Sequence, residues 1–124
     1  MLPSLQQNYQ KTQDQLLFDV QRHLTQLLNT RQGSLSYLPD YGLPDLQEIY
    51  QTLPRSIGRL IQAIERVICK YEPRIKKITV LSHAVQHTEH VIELDLALQL
   101  VSKESLFLKT QFMSNGLAEV TAAV

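Results

Sequence analysis

The chain has 124 residues, of which 44% are apolar and 19% charged, a composition typical of one compact globular domain and not of a disordered chain. Twelve basic and twelve acidic residues give a formal net charge of zero, so no bulk field attracts the protein to nucleic acid or to an acidic membrane. The single cysteine, Cys69, excludes an intrachain disulfide and indicates a reducing compartment.

The first part of the chain is a polar, glutamine-rich segment followed by a helical pattern. Residues 1–12 lack hydrophobic periodicity, so we expect a flexible polar tail there and a single domain over residues 13–124. From Asp14 to Asn29 apolar residues recur at three- and four-residue steps, which predicts an amphipathic helix. No apolar stretch approaches the ~20 residues that span a bilayer, and no basic start precedes an apolar run. We therefore expect a soluble, cytoplasmic protein.

The next segment, RQGSLSYLPDYGLPDLQEIYQTLP, contains three of the five prolines and two of the four glycines. This composition predicts an ordered loop that carries a short helical turn near Asp45–Tyr50. Pro44 suits the first turn of that helix, and Asp45 places negative charge near its N-terminus. A loop of this length inside a small domain is usually functional.

A second helical pattern runs from Arg55 to Tyr71 and places Cys69 on its predicted core side, where a free cysteine behaves as a small hydrophobe. Pro73 ends this helix, because a proline pushes the residue before it out of the α region. After Pro73 the hydrophobic period changes from 3.6 residues to two, which is typical of strands.

The strand patterns alternate between one apolar face and one polar face, as in an antiparallel sheet that is covered on one side. The fold class is therefore predicted to be α+β, with two main helices and a short loop helix packed on one face of a three- or four-stranded, mainly antiparallel sheet. The predicted strands are Ile75–Leu81, VIELDLALQL at residues 91–100, Leu106–Met113 and, after the hairpin pattern Asn115-Gly116, a short Leu117–Val120.

Two groups of polar residues fall short of a metal site or a catalytic site. His83, His87 and His90 would align for zinc on a helix, but they lie between two strand patterns, where that alignment fails. Glu93 and Asp95 share the wet face of a strand, and nothing in the sequence encloses them in a cleft. The chain also lacks a nucleophile elbow, a phosphate-binding glycine loop and tryptophan. We predict no enzyme, no metal and no cofactor.

The junction YEPRIKK places Glu72 and Arg74 on either side of Pro73, on the same side of the backbone. The neighbouring cation favours the ionised form of Glu72, which is the wrong direction for the general acid of a glycoside hydrolase. Two interpretations remain open. The pair either braces the fold internally, for example by tying the corner to the Asp40–Asp45 loop, or Arg74 presents a rigid fork to a carboxylate of a partner.

Three stretches taken together resemble the gpW/gp25-like baseplate family: LLNTRQGS at the end of the first helix, DYGLPDL in the loop and YEPRI after the second helix. The resemblance covers roughly residues 14 to 115 and is strongest to the type VI secretion members. It implies a non-enzymatic wedge subunit of a contractile machine, assembled at the cytoplasmic side of the inner membrane. Members are often labelled lysozyme-like, a label to which the acidic residues here lend no support.

The resemblance also implies partners and contact residues. The partners would be other wedge subunits, similar to TssF, TssG and TssK, and sheath proteins similar to TssB and TssC, which add a strand to a free sheet edge. Nucleic acid and direct membrane insertion are not implied. A peptidoglycan-cleaving enzyme and an anti-adaptor protein of the same fold remain as alternatives. The partner-binding residues would be Arg31, Tyr41, Gly42, Leu43, Pro44, Asp45, Glu72, Pro73 and Arg74.

Overall fold

A computed structural model describes residues 2–39, 41–86 and 88–122, with side chains described from Gln15 onward. Three helices precede a four-stranded antiparallel sheet, so the predicted α+β class is confirmed. The elements are α1 Leu2–Leu28, α2 Leu46–Gln51, α3 Ile57–Tyr71, β1 Ile75–Gln86, β2 Val91–Leu100, β3 Ser105–Phe112 and β4 Ala118–Ala122.

Helix α1 is longer than the hydrophobic pattern predicts. Its backbone is helical from Leu2, whereas the polar start suggests a loose tail. Glutamine, leucine and lysine are all good helix formers, so a helix can extend through this segment without an apolar stripe. The division into a tail and a domain stays a prediction. The second half of α1 supplies the core with Val20, Leu24 and Leu27, all fully buried.

Helix α3 is the other main core helix, and it begins at Ile57, two residues later than predicted. It buries Leu60, Ile64 and Ile68. The prediction for Cys69 is wrong, because its side chain is exposed. Each helical residue is rotated by about 100° from the one before it, so the residue after Ile68 already leaves the core side. None of the helices in the described ranges has the length and apolarity of a membrane span.

The four strands form a meander in the order β1-β2-β3-β4, with α3 packed against β1 and α1 against β4. Strand β2 alternates as predicted, with Ile92 and Leu94 on its buried face. Strand β1 continues five residues beyond its predicted end at Leu81. The sequence did not predict this second half of β1, residues 81–86 (the outer half of β1), because it is largely exposed and lacks a clear alternation. The Asn115-Gly116 hairpin is confirmed: Gly116 has a φ of 86° and donates its N–H to Met113 O at 2.9 Å.

The longer β1 changes the position of the histidines. His83 lies within strand β1 and not in a connecting loop, while His90 lies in the following turn with a φ of 54°. His87 is outside the described residues. Among the described residues no group of three potential ligands could hold a metal ion.

Thr110 is a polar residue on the covered face of β3, and it is fully buried. Its hydroxyl has no hydrogen-bond partner among the described residues. We expect Thr110→Val, which keeps the shape and removes the hydroxyl, to raise the free energy of unfolding by about 1 kcal/mol in urea titrations. The matched exposed change, Thr79→Val, should shift it by no more than about 0.5 kcal/mol. A loss of stability in Thr110→Val would show that the hydroxyl has a partner.

Candidate partner-binding site

The Glu72 carboxylate is the centre of the corner between α3 and β1, and it is fully buried. Arg74 donates to it three times, from Nε to Oε1 at 2.7 Å, from Nη2 to Oε2 at 2.9 Å and from its backbone N–H to Oε1 at 3.1 Å. His23 of α1 approaches from the other side, with Nδ1 at 2.5 Å from Oε2. Both carboxylate oxygens therefore have two hydrogen-bond partners within the chain.

These contacts set the charge of Glu72. Burial alone raises the pKa of a carboxyl group, but the hydrogen bonds from Arg74 and His23 outweigh it and lower the pKa of Glu72 from 4.5 to about 2. The side-chain hydrogen bonds between Arg74 and Glu72 also raise the pKa of Arg74. Glu72 is thus a buried anion at neutral pH, as the sequence predicts from the neighbouring cation, and it is unsuited to act as a general acid.

The backbone explains why proline separates the two charges. Glu72 caps α3, with its N–H donated to Ile68 O at 2.9 Å, and Pro73 then takes the second position of a turn closed by Ile75 N–H to Glu72 O at 3.2 Å. The turn brings the Arg74 side chain back over the carboxylate. The sequence suggested an internal contact from this corner to the Asp40–Asp45 loop, but among the described residues Glu72 makes none to residues 41–45. It contacts His23 of α1 instead.

The loop motif YGL is held against the end of α1 by backbone hydrogen bonds. Leu43 donates to Thr30 O at 2.8 Å, and Gln32 donates to Leu43 O at 2.9 Å, which forms a short parallel bridge between Arg31 and Leu43. Gly42 directly precedes Leu43 of this bridge and has a φ of 107°. A Cβ atom added at Gly42 would lie 2.5 Å from Thr30 O, so only glycine allows this approach.

The residues beside Gly42 connect the loop to the corner and to α2. The Tyr41 ring packs edge-to-face against Tyr71, at a centroid distance of 4.8 Å, directly before Glu72. Asp45 is the N-cap of α2 and accepts the N–H of Gln47 at 3.0 Å. Pro44 therefore precedes the cap. The sequence pattern placed it in the first helical turn, and that prediction is wrong. The loop motif and the corner are thus neighbouring parts of one surface.

Arg31 links α1 to the β3–β4 hairpin through carbonyl oxygens. Its Nη1 donates to Leu28 O at 2.8 Å, and its Nη2 donates to Gly116 O. Burial lowers the pKa of Arg31, and the nearby Tyr50 and Asp45 offset part of that effect. Tyr50 joins the same hairpin by donating its hydroxyl to Met113 O at 2.5 Å. These residues hold the loop and the hairpin together.

The residues predicted to bind a partner divide into three groups by exposure. Glu72, Gly42 and Leu43 are buried, and their contacts are internal. Pro73 and Asp45 are exposed, while four others are half-buried and present part of their surface to solvent. The half-buried residues are Arg31, Tyr41, Pro44 and Arg74.

The carboxylates on the open face of the sheet have partners of their own. Glu93 accepts from Gln111 Nε2 at 3.4 Å and lies 3.8 Å from Lys109 Nζ. Asp95 accepts from the Ser82 hydroxyl at 2.8 Å. Both carboxylates are thus engaged in side-chain contacts on this face of the sheet.

Three residues with important contacts were not predicted: His23 and Gln21 on α1, and Asn29 directly after it. His23 lies beside the apolar stripe of α1 and has no local partner in the sequence. Asn29 has the features of a helix stop, but its amide also bonds to Ala118. Gln21 donates its Nε2 to Val120 O at 2.7 Å. A polar residue on a helix gives no indication of which distant backbone group it will contact.

The comparison with protein families decides what kind of protein carries this surface. A family model described as baseplate wedge protein gp25 matches residues 14–105, which is most of the chain. The chain belongs to the baseplate wedge family of gp25. No curated protein matches it. The family resemblance predicted from LLNTRQGS, DYGLPDL and YEPRI is thereby confirmed, and membership assigns this baseplate wedge protein a structural role in a baseplate.

A solved structure extends the comparison. A chain of "The baseplate complex from the type VI secretion system" is similar to this baseplate wedge protein, with a TM-score of 0.70 and 32% sequence identity. The likeness covers 82% of this chain and 95% of that chain. The family match includes the corner and the loop motif and ends at Ser105, the first residue of β3.

Proposed function

We propose that the chain is a TssE-type wedge subunit of a type VI secretion baseplate, a structural part without catalytic activity that works at the cytoplasmic side of the inner membrane. The observation that carries this proposal is the likeness to a chain of a type VI secretion baseplate complex at 32% identity over 95% of that chain. The partners proposed from it are other wedge subunits, similar to TssF, TssG and TssK, and sheath proteins similar to TssB and TssC.

The corner is proposed as the contact with other wedge subunits. Arginine has five N–H donors in a planar fork, and Glu72 takes two from the side chain of Arg74. The side chain of Arg74 is 35% exposed, so donors remain for a carboxylate of a partner, and Glu72 holds the guanidinium in place. In this proposal Glu72, Gly42 and Leu43 shape the surface, while Pro73, Arg74, Asp45 and the exposed parts of Arg31, Tyr41 and Pro44 make the contact.

The edge of β1 is proposed to accept the strand of a sheath protein. Among the described residues, no hydrogen bond joins the β1 backbone between Lys77 and Gln86 to any element other than β2. The outer half of β1 carries no Lys, Arg, Asp or Glu, and Leu81 is 58% exposed. An uncharged, accessible edge is the kind to which an extended chain adds by backbone hydrogen bonds.

The register identifies the β1 groups that would take that strand. Ala118 directs its N–H and C=O to Asn29 and away from β3, so it forms a non-hydrogen-bonded pair with Phe112 of β3. The backbone N–H and C=O of Phe112 therefore point to the other side, where they bond to Ile92 of β2. Val85 of β1 is paired with Ile92, and by the same alternation its backbone N–H and C=O point away from β2, to the outer side of β1. His83, two residues earlier, has the same orientation and an exposed side chain. Its N–H is therefore a donor available to an added strand.

A proline at His83 tests this function directly. We expect His83→Pro to remove the outward donor while the hydrogen bonds to β2 remain, so the purified variant should fold but should not support sheath assembly in cells that lack the wild-type protein. The matched variant His83→Ala loses the imidazole and keeps the N–H, and it should support assembly. Sheath length and number, counted by fluorescence microscopy of a labelled sheath protein, are the measurement.

Other results would assign another function. Normal sheath assembly with His83→Pro would exclude the β1 edge as the acceptor. Recovery of a proteolytic adaptor, and no baseplate subunit, in a pull-down from native lysate would indicate an anti-adaptor. Turnover of purified cell wall by the wild-type protein, lost in Glu72→Gln, would indicate an enzyme.

A further inference from the structure

The two edges of the sheet differ in what covers their backbone groups. Strand β4 is an edge strand, but α1 lies beside it and donates side-chain hydrogen bonds to its outer side. Gln21 Nε2 donates to Val120 O at 2.7 Å. Asn29 makes two bonds with Ala118, from Nδ2 to the carbonyl oxygen at 3.0 Å and from the Ala118 N–H to Oδ1 at 2.7 Å.

The groups that these amides contact are the ones a neighbouring strand would use. In an antiparallel sheet alternate residues of an edge strand direct both N–H and C=O away from the sheet. Ala118 and Val120 are two residues apart and both face outward, whereas Glu119 between them pairs with Gln111 of β3. The Asn29 amide offers a donor and an acceptor side by side, the same pair of groups as a backbone amide. It therefore substitutes for a residue of an added strand.

Gln21 and Asn29 are eight residues apart, which is about 12 Å along a helix. Side chains at this separation can reach two successive outward positions of a strand that passes the helix at an angle. The outward residues of β4 are Ala118, Val120 and Ala122, and three of their six outward backbone groups are thereby occupied. The edge of β1, by contrast, shows no such bond from Lys77 to Gln86 among the described residues.

We propose that Gln21 and Asn29 are specificity-determining residues that close the β4 edge, so that a strand can add to this sheet only at β1. The closure applies equally to a partner strand and to β4 of a second copy of the chain. It rests on contacts within this chain alone. Its consequence for the sheath, which must then dock at β1, rests on the proposed function.

The double variant Gln21→Ala/Asn29→Ala opens the β4 edge and tests the closure on the isolated protein. We expect it to self-associate, with an association constant at least about tenfold above that of the wild type, because hydrogen bonds lost within the monomer are regained between two β4 strands. Sedimentation velocity over a concentration series measures this. The matched control is Arg22→Ala/Gln26→Ala, two exposed positions of the same helix, which should behave as the wild type.

A proline locates the interface. Ala122 has the same outward orientation as Ala118 and Val120, so adding Ala122→Pro should return the double variant to the wild-type association constant. If the double variant does not fold, Gln21→Glu keeps the size of the side chain and removes the donor to Val120 O, and the same comparison applies. The proposal is overturned if the folded variant associates no more than the control. It is also overturned if His83→Pro, and not Ala122→Pro, reverses the association.

Discussion

Replacing Glu72 with glutamine is expected to lower the free energy of unfolding by about 3 kcal/mol, because it removes the anion of a buried pair and leaves Arg74 and His23 without it. The variant keeps the size of the side chain, so the loss measures charge and hydrogen bonding and not a cavity. Arg74 is partly exposed and can recover some hydration, which places the value at the lower end for buried pairs. Urea unfolding followed by circular dichroism is the measurement.

The matched control for this change is Glu48→Gln. Glu48 forms an ion pair with Arg59 at 3.6 Å, but both side chains are more than half exposed. Exposed pairs contribute at most about 1 kcal/mol, and this one should cost less than about 0.5 kcal/mol. Equal losses in the two variants would contradict the internal role of Glu72.

The pH dependence of the same pair provides a second measurement of this effect. The pKa of Glu72 is lowered to about 2 in the folded state, so its contribution is complete above its ordinary pKa of 4.5 and is lost as the pH falls through 2. The difference in unfolding free energy between the wild type and Glu72→Gln should therefore shrink by about 3 kcal/mol between pH 5 and pH 2. A difference that does not change with pH would show that the carboxylate is not ionised in the fold.

The second large effect is expected at Gly42. Gly42→Ala should destabilise the protein by about 3 kcal/mol, since alanine is strained at a φ of 107° and its Cβ would meet backbone atoms of Thr30 at 2.5 and 2.7 Å. Backbone atoms cannot rotate away as a side chain can, so the bridge between Arg31 and Leu43 must open. Thermal and urea unfolding both report the loss.

Gly58 provides the contrasting glycine. It lies in α3, and a Cβ added there meets no atom within 4 Å, so Gly58→Ala should stabilise the protein by about 0.5–1 kcal/mol. Opposite signs at the two positions would confirm that close approach and backbone conformation, and not glycine content, decide the effect. If Gly42→Ala is as stable as the wild type, the loop does not hold this conformation in solution.

The consequence for docking follows from position. Gly42 allows the loop to approach α1, and the loop in turn holds Tyr41 against Tyr71 and Asp45 at the start of α2. A Gly42→Ala chain that still folds would therefore present these residues in altered positions. In the proposed function such a chain would keep its β-sheet but would bind other wedge subunits less tightly.

Much of the fold was predictable because its causes are local. The periods of α3 and β2, the stop at Pro73 and the Asn115-Gly116 turn each depend on residues a few positions apart, and the structure contains all four. The pairing of Glu72 with Arg74 was predictable for the same reason, together with the direction of the Glu72 pKa. The extent of β1 was not, because its outer half is exposed on both faces and carries no alternation.

The sequence by itself determined the order and type of the main helices and strands, the resemblance to the family and the local charge pair. Only the tertiary structure decided that Glu72 is fully buried, that His23, 49 residues away, completes its contacts, and that Gln21 and Asn29 close the β4 edge from distances of 99 and 89 residues. The physical reason is that periodicity records burial within one element. A hydrogen bond between distant elements depends on how they pack and leaves no repeating pattern in the chain.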